Sequence, residues 1–447
     1  MATETNVGFH QRDHDILSLL SIFVRSHHTV TPGLLLIGVL ISDESFNLSP
    51  PINEGSYFEV YSINTNRLIE TSASPRVYQT SGQTLPEVVA VKCPKITGGL
   101  RDKRNQKLWS SMAMELQILQ NRYIRDHENI VSILGVCWRS VRDQIMPTFV
   151  MELAHTNLQA MMEPGGFTVD KISTRKIFGL AIDVGAGVSA LHDVGIIHGD
   201  IKPANILIFK HPNLEFVAKI SDFGSSLLKT DVKEPIHLPF SSGVWQAPEC
   251  KRALDGEQLI AADTFALALL VGNILSRGAM MSMMEDDRFN ELAEQHGPSE
   301  DDINKGYRVA ARCAYVTLNA FLKENLKVEE EKRYGTVSTQ QSKGTTNDRG
   351  EDDEVSDDTD HDSDLKSIAQ IAQLAIENVV SHLFEPSIRQ SSRSIYRNLR
   401  ICLSWIIRRD MLNPLNYIDS ERMMDFIEAT KTNAQEFEVL QNPGMKA

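Results

Sequence analysis

Apolar and polar positions along this chain predict strands early and mostly helices later. Residues 52–61 have a strand-turn-strand pattern, and residues 88–92, 129–135 and 148–154 are short apolar runs typical of buried strands. Apolar residues recur at helical spacing in further segments, namely 10–26, 111–119, 174–192, 307–322, 365–384 and 391–408. The pattern therefore indicates a mixed chain whose first part is rich in strands.

A short polar loop, residues 198–205, lies between two apolar runs. Asp200 offers a carboxylate that can take a hydroxyl proton, Lys202 a positive charge, and Asn205 a neutral oxygen that a hard cation accepts. These groups suit phosphoryl transfer, which depends on positioning and charge neutralisation. Because Asp and Asn in a turn more often bond their own backbone, the loop by itself is a moderate signal.

Three more charged residues could take part in phosphoryl transfer. Asp222 follows an alternating run, 22 residues after Asp200. Lys92 ends a buried-strand run, and an unpaired buried ammonium is costly, so we expect it to have a partner. Glu115, on the predicted helix 111–119, supplies that partner.

In this order the residues resemble the motifs of the eukaryotic protein kinase superfamily. The stretch HGDIKPANIL is similar to its catalytic loop, with Gly199 where most members have arginine. Asp222-Phe223-Gly224 is similar to its metal-binding motif, and Lys202 resembles the serine/threonine branch. The resemblance implies an α+β, bilobal kinase fold with a small antiparallel-sheet N-lobe and a mainly helical C-lobe.

The resemblance also implies ATP- and Mg²⁺-dependent phosphate transfer to Ser/Thr hydroxyls of proteins. Asp200 would orient the hydroxyl and accept its proton, and Lys202 would neutralise the γ-phosphate. Lys92, fixed by Glu115, would hold the α- and β-phosphates. The implied magnesium ligands are Asn205 and Asp222.

A further set of residues would bind the rest of the nucleotide or support the fold. The backbone at Glu152 and Ala154 would bond the adenine edge. The other implied ATP-binding residues are Ile52, Gly55, Val60, Ala90 and Leu207, of which Val60, Ala90 and Leu207 would enclose the adenine. The implied structural residues are His198, Phe223, Gly224, Glu249, Asp263 and Arg389. Among them, Asp263 would hold the catalytic-loop backbone, and Glu249 would pair with Arg389.

The hairpin 52–61 departs from the family's glycine-rich loop. Gly55 is present, but Asn53 and Phe58 stand where the first and third glycines would be. Asn tolerates left-handed backbone, whereas Phe58 is bulky. The alternative to an active kinase is therefore a pseudokinase, a binding scaffold in which Phe58 obstructs the phosphate site.

Gly199 is the second departure, because arginine at this position neutralises a phosphate on the activation segment. We expect activity not to depend strongly on phosphorylation of Thr230, Ser241 or Ser242.

Composition limits the other functions that the chain could have. The formal net charge is −14, but ten acidic residues fall within 347–364, so the rest is only mildly acidic. Without a basic stripe, a nucleic-acid partner is not expected. Residues 328–364 form a predicted disordered acidic insertion, which could recruit a basic partner. The five cysteines are far apart and lack a CxxC pair, which favours buried thiols over zinc or disulfides.

The predicted organisation has three parts. Residues 1–45 are a predicted N-terminal helical extension, 46–409 the kinase domain, and 410–447 a polar tail. Within the domain, the N-lobe would cover about 46–153 and the C-lobe about 154–409. The early apolar runs 16–24 and 34–41 are shorter than the ~20 residues of a membrane helix, and no signal peptide is evident. We expect no membrane span and a cytoplasmic or nuclear location.

Overall fold

The computed structural model divides into two compact units. It describes residues 35–42, 50–66, 77–78, 86–141, 144–163, 172–238, 243–284, 303, 306–320, 322, 368–384, 386–387 and 389–411. The first unit comprises Met1–Glu163, Ala186–Gln246 and Cys250–Asp263, and the second Pro164–Gly185, Ala247–Glu249 and Thr264–Ala447. The segment that carries the catalytic loop thus belongs to the same unit as the N-terminal strands, so the units do not follow the predicted lobe boundary at 153/154. The domain limits remain predictions.

A seven-stranded sheet forms the core of the first unit. Its strands are β1 (Leu35–Ser42), β2 (Asn53–Glu54), β3 (Phe58–Asn64), β4 (Val77–Tyr78), β5 (Val88–Pro94), β6 (Ile133–Val141) and β7 (Gln144–Glu152). Their order is β2-β3-β5-β7-β6-β1-β4, and every pair is antiparallel except β1 with β6. Alternate residues of the strands pack into one apolar cluster, which includes Tyr61, Val89, Val91, Cys137 and Val150. Helix α1 (Gln106–Leu119) follows β5 in the chain.

Strand β1 shows that residues 35–42, within the predicted helical extension 1–45, are not helical. Its eight residues, LLIGVLIS, pair in parallel with β6 and antiparallel with β4, and so extend the sheet. A continuous apolar run of this length is compatible with either a buried helix or a strand, and here the ladder partners decide in favour of a strand. The predicted helix at 10–26 lies outside the described residues, as do the acidic insertion 328–364 and the tail beyond Met411.

Short strands and one long helix frame the catalytic loop. Strands β8 (Thr156–Asn157), β10 (Ile206–His211) and β11 (Glu215–Ile220) form a three-stranded sheet, and β9 (Ile196–Ile197) pairs with β12 (Leu227–Leu228). Helix α2 (Leu158–Met162) begins where the Asn157 side chain accepts the Ala160 amide at 2.8 Å. Helix α3 (Thr174–Asp193) precedes β9 and therefore leads into the loop.

Beyond residue 255 the described structure is mainly helical, as predicted. The helices are α4 (Gly256–Leu275), α5 (Ala279–Met284), residues 306–320, α6 (Ile368–Val380) and α7 (Ser392–Met411). By length and mean hydropathy (1.7) α4 could cross a membrane, but 83% of its apolar window is buried inside the protein, as in the core helix of a globular protein. All five cysteines are buried free thiols, as the sequence predicted. A mostly antiparallel sheet followed by helices agrees with the predicted α+β class.

Candidate active site

Lys92, Glu115 and Asp222 form one ionic cluster within the first unit. The Lys92 amine on β5 lies 2.7 and 2.9 Å from the Glu115 carboxylate oxygens on α1, and 3.1 Å from Asp222 Oδ1. Burial lowers the pKa of Lys92, but the nearby charges of Asp222 and Glu115 outweigh it, so that the pKa is raised above its usual value. The Lys92 ammonium conversely lowers the pKa of Asp222. Both groups are therefore charged at neutral pH, and the predicted partner of Lys92 is present.

The catalytic loop brings its three polar side chains together. Lys202 Nζ lies 2.7 Å from Asp200 Oδ2. Asn205 Nδ2 donates to the Asp200 carbonyl at 2.8 Å and to Asp200 Oδ2 at 3.0 Å. Because the Asn205 amide nitrogen has two protons, these bonds use both and leave the side-chain oxygen as the acceptor for a cation. The loop can thus present a base and a metal ligand side by side.

Asp263, the eighth residue of α4, holds the backbone of this loop. Its carboxylate accepts the amide of His198 at 2.5 Å and that of Gly199 at 2.9 Å. The buried His198 ring donates from Nε2 to the Ser221 carbonyl at 3.1 Å, which leaves Nδ1 to accept the Asp200 amide at 3.2 Å. Asp263 therefore holds the catalytic-loop backbone, as the resemblance implied, and His198 also fixes Asp200 by accepting its amide.

The segment Asp222-Phe223-Gly224 is constrained from two sides. Asp222 has left-handed backbone angles (φ 64°, ψ 71°), which a non-glycine residue rarely adopts. A Cβ at Gly224 would lie 2.0 Å from the Ser111 hydroxyl oxygen on α1, so a larger residue would force this hydroxyl to rotate away. The ring of Phe223 is buried, with its centroid 5.3 Å from that of His198. This packing ties the Asp222 carboxylate to both α1 and the catalytic loop.

Comparison with known proteins places the chain in a family. The protein kinase domain matches residues 66–343, which is more than half of the chain. The chain belongs to the protein kinase family. Its architecture is accordingly the bilobal α+β kinase fold predicted from the sequence. The hairpin formed by β2 and β3 lies before the matched range.

Several kinases resemble this chain over part of its length. A rice protein, "Serine/threonine-protein kinase/endoribonuclease IRE1", is 40% identical over 112 residues, which are 24% of this chain and 12% of the relative. "Dual specificity protein kinase shkD" of Dictyostelium discoideum is 25% identical over 53% of this chain and 32% of the relative. "Serine/threonine-protein kinase Tao" of Drosophila melanogaster is 27% identical over 54% of this chain and 21% of the relative. The matches thus span at most about a third of each of these relatives.

The second unit of this kinase contains the predicted bridge between Glu249 and Arg389. Arg389 Nη1 lies 2.7 Å from Glu249 Oε1, and both side chains are completely buried. The Tyr307 hydroxyl donates to Glu249 Oε2 at 2.7 Å. The guanidinium lies 5.1 Å from the centroid of the Phe265 ring. A fully buried pair with several partners is a structural support rather than a reactive group.

The predicted adenine-binding residues lie on elements next to the ionic cluster. Val60 pairs directly with Lys92 across β3 and β5, and Ala90 is two residues before Lys92, so all three share one face of the sheet. Leu207 on β10 pairs with Asn157 of β8, a few residues after the predicted hinge. Glu152 and Ala154 lie at and just beyond the end of β7, and Ile52 is 56% exposed before β2. Their contacts with adenine remain predictions.

The residues present fit the ATP and Mg²⁺ that protein kinases use. Magnesium takes one or two protein oxygens and completes its octahedral shell with water and phosphate. Asn205 and Asp222 offer such oxygens, and the Asp222 side chain is 48% exposed. Within the described residues no group of three or more His, Cys, Asp and Glu side chains could hold a metal by itself. The site therefore suits a cation that arrives with a nucleotide.

One contact at the predicted hinge was missed from the sequence. The Glu152 carboxylate lies 2.8 Å from Lys219 Nζ on β11 and accepts the Ser132 amide at 2.7 Å. A signal was available in the alternation of β11, whose buried residues are Phe216, Ala218 and Ile220, because Lys219 then faces the other side. The bond fixes the hinge end of β7 to the strand that leads into Asp222.

Proposed function

We propose that this chain is an active protein kinase, which transfers the γ-phosphate of ATP to Ser/Thr hydroxyls of protein substrates with Mg²⁺. The observation that carries the proposal is the cluster of Lys92, Glu115 and Asp222 in the same compact unit as Asp200 and its loop. The charged groups that the reaction needs are thus all retained, and Lys92 and Lys202 are each paired with a carboxylate of the site.

Each residue has a defined task in this proposal. Asp200, held through His198 and Asp263, orients the substrate hydroxyl and accepts its proton. Lys202, at 2.7 Å from Asp200, lies where it can neutralise the γ-phosphate that approaches the hydroxyl. Bound magnesium supplies charge neutralisation on the phosphates, and Asn205 and Asp222 hold it. Lys92 then holds the remaining phosphates.

The proposed preference for Ser/Thr hydroxyls rests on one sequence motif and on the names of relatives. Lys202 belongs to a DIKPAN sequence that resembles the serine/threonine branch, and two of the three relatives described above are named serine/threonine kinases. The third is named a dual specificity kinase. Substrate panels with Ser, Thr or Tyr as acceptor test this part of the proposal separately from activity itself.

We further propose that the activation segment needs no phosphate. Gly199 has φ +77°, and a Cβ there would lie 2.9 Å from the Ser225 carbonyl oxygen, so a larger residue is disfavoured. Backbone bonds hold the segment instead: β12 pairs with β9, and Ile236 exchanges two bonds with Leu254, at 2.9 and 2.8 Å. Phosphatase treatment should leave most of the activity, and loss of most of it would contradict this proposal.

The second candidate function is a pseudokinase scaffold. It is favoured by one observation, that the Phe58 ring centroid lies 4.5 Å from the Lys92 amine, on the phosphate side of the proposed site. A scaffold of this kind would bind partners through the kinase fold without efficient transfer.

Phosphate transfer to a generic protein substrate decides between the two candidates. The parent should label the substrate in the presence of Mg²⁺ and ATP, and Asp200→Asn should not. Mg-ATP at about 100 times its dissociation constant should raise the free energy of unfolding by about 2.7 kcal/mol. Lys92→Met should abolish this gain, whereas Lys210→Met, at an exposed lysine of β10, should not. Mg-ATP stabilisation without any transfer would favour the scaffold.

A further inference from the structure

Phe58 is buried against the lysine of the ionic cluster. Although it follows a turn at the tip of a hairpin, it is only 8% exposed. Side chains alternate along β3, so Phe58 and Val60 point to the same face, and Val60 pairs directly with Lys92. Phe58 is therefore the diagonal neighbour of Lys92 on that face, within reach of a long side chain. Its ring centroid lies 4.5 Å from Lys92 Nζ, in the range of a cation–π contact.

The amine of Lys92 is fully occupied when Phe58 is in this place. An ammonium group has three N–H donors, and Lys92 has three acceptors, two oxygens of Glu115 and one of Asp222. The aromatic ring covers a further side. The Lys92 side chain is 10% exposed, whereas that of Asp222 is 48% exposed. A nucleotide could thus reach the metal-binding carboxylate more readily than the lysine.

The hairpin that carries Phe58 is fastened in this position. Gly55 donates its amide to the Phe58 carbonyl at 2.8 Å, which closes the turn. The amide of Lys95, just after β5, donates to the Tyr57 carbonyl at 2.8 Å. The Lys95 side chain also forms an ion pair with Glu54. The ring is therefore held over Lys92 by contacts on both arms of the hairpin.

We propose that Phe58 is a gate over the phosphate subsite, so that a polyphosphate must displace the ring before it can reach Lys92. The inference rests on the proposed ATP-dependent function. Displacement breaks the contact between ring and ammonium and exposes a buried aromatic side chain, which opposes binding of a triphosphate. A nucleoside without phosphates does not need this displacement. Phe58 therefore sets affinity according to the phosphates of the ligand rather than its base.

Calorimetric titration of the full chain tests the gate with Mg-ATP, Mg-ADP and adenosine. Phe58→Gly should bind Mg-ATP about tenfold more tightly than the parent, from the usual strength of a partly desolvated cation–π contact. Phe58→Leu, which keeps apolar bulk without the aromatic ring, should show a smaller gain. Adenosine should bind the parent and both variants equally. Circular dichroism and thermal unfolding check that each variant is folded. If Phe58→Gly does not fold, the comparison of Phe58→Leu with the parent still tests the gate.

The outcomes separate the gate from the kinase activity. If the parent transfers phosphate but all three proteins bind Mg-ATP equally, the gate is wrong and the proposed function stands. An equal gain for adenosine and Mg-ATP also overturns the gate, because the effect would then not concern phosphates. A gain limited to Mg-ATP and Mg-ADP without any transfer supports the gate and contradicts the active kinase. If no protein binds an adenine ligand, both proposals fail.

Discussion

His382 makes the stability of the second unit depend on pH. This residue follows α6 and is completely buried, with Nδ1 2.6 Å from the Asn378 carbonyl oxygen and Nε2 2.6 Å from the Ser394 hydroxyl oxygen. The carbonyl can only accept, so Nδ1 carries the proton of the neutral ring. Burial, together with the nearby positive charge of Arg389, lowers the pKa of His382 from 6.5 to about 4. The folded protein thus favours the neutral ring.

The sign and size of the effect follow from linkage. The unfolded chain binds a proton at His382 below about pH 6.5, whereas the folded protein does so only near pH 4. The full stabilisation is therefore present above pH 6.5 and is lost progressively as the pH falls toward 4. One pKa unit corresponds to about 1.4 kcal/mol, so the loss is about 2 kcal/mol at pH 5 and about 3 kcal/mol below pH 4.

Urea unfolding followed by circular dichroism measures this loss. The parent and His382→Gln are compared at pH 8 and pH 5, because other groups also titrate and only the difference isolates His382. The free energy of unfolding of the parent should fall between these pH values by about 2 kcal/mol more than that of the variant. The control is His237→Gln, at an exposed histidine, which should fall as the parent does. An equal fall in the parent and His382→Gln would refute the reasoning.

Three further predictions concern activity and structural support. Arg389→Leu leaves the buried carboxylate of Glu249 without its cation, so the free energy of unfolding should fall by about 3 to 5 kcal/mol. Urea unfolding measures this loss, and a loss under about 1 kcal/mol would contradict the prediction. Gly224→Ala places a methyl group 2.0 Å from the Ser111 hydroxyl oxygen, which must rotate away, so transfer activity should fall. Ser111→Ala in the same chain should partly restore it, and no recovery in the double variant would show another cause. Asp263→Asn removes one of the two hydrogen bonds by which the carboxylate accepts catalytic-loop amides, a loss of about 2 kcal/mol. The value of kcat should therefore fall about 30-fold with KM nearly unchanged, and a change confined to KM would count against a role in positioning.

Local chemistry made much of the candidate site predictable from the sequence. Asp200, Lys202 and Asn205 lie within six residues of one another, so one tight loop necessarily brings them together. The contact between Lys92 and Glu115 spans 23 residues; a buried ammonium needs an anionic partner, and the resemblance to protein kinases identified Glu115 as that partner. The first prediction rests on closeness in the sequence, and the second on the requirement that a buried ammonium be paired.

Contacts that depend on long-range pairing were not predictable in the same way. The backbone of residues 35–42 could form hydrogen bonds within a helix or along a sheet edge, and only the presence of β6 beside it selects the strand. Lys219 and Glu152 are 67 residues apart, and either could have been an exposed charge. The alternation of β11 indicates the face on which Lys219 lies, but no local pattern identifies Glu152 as its partner, because either charge could equally be solvated at the surface.

The ionic cluster shows why geometry and function have to be argued separately at Phe58. Lys92 has three acceptors within the protein and an aromatic ring beside it, so the cluster is satisfied without a ligand. Its presence therefore explains the stability of the arrangement in both an active kinase and a scaffold. What differs between them is the cost of exchanging the Phe58 contact for phosphate. That cost depends on the side chain of Phe58, at a position where the family usually has glycine. The charged residues alone therefore do not decide between the two functions.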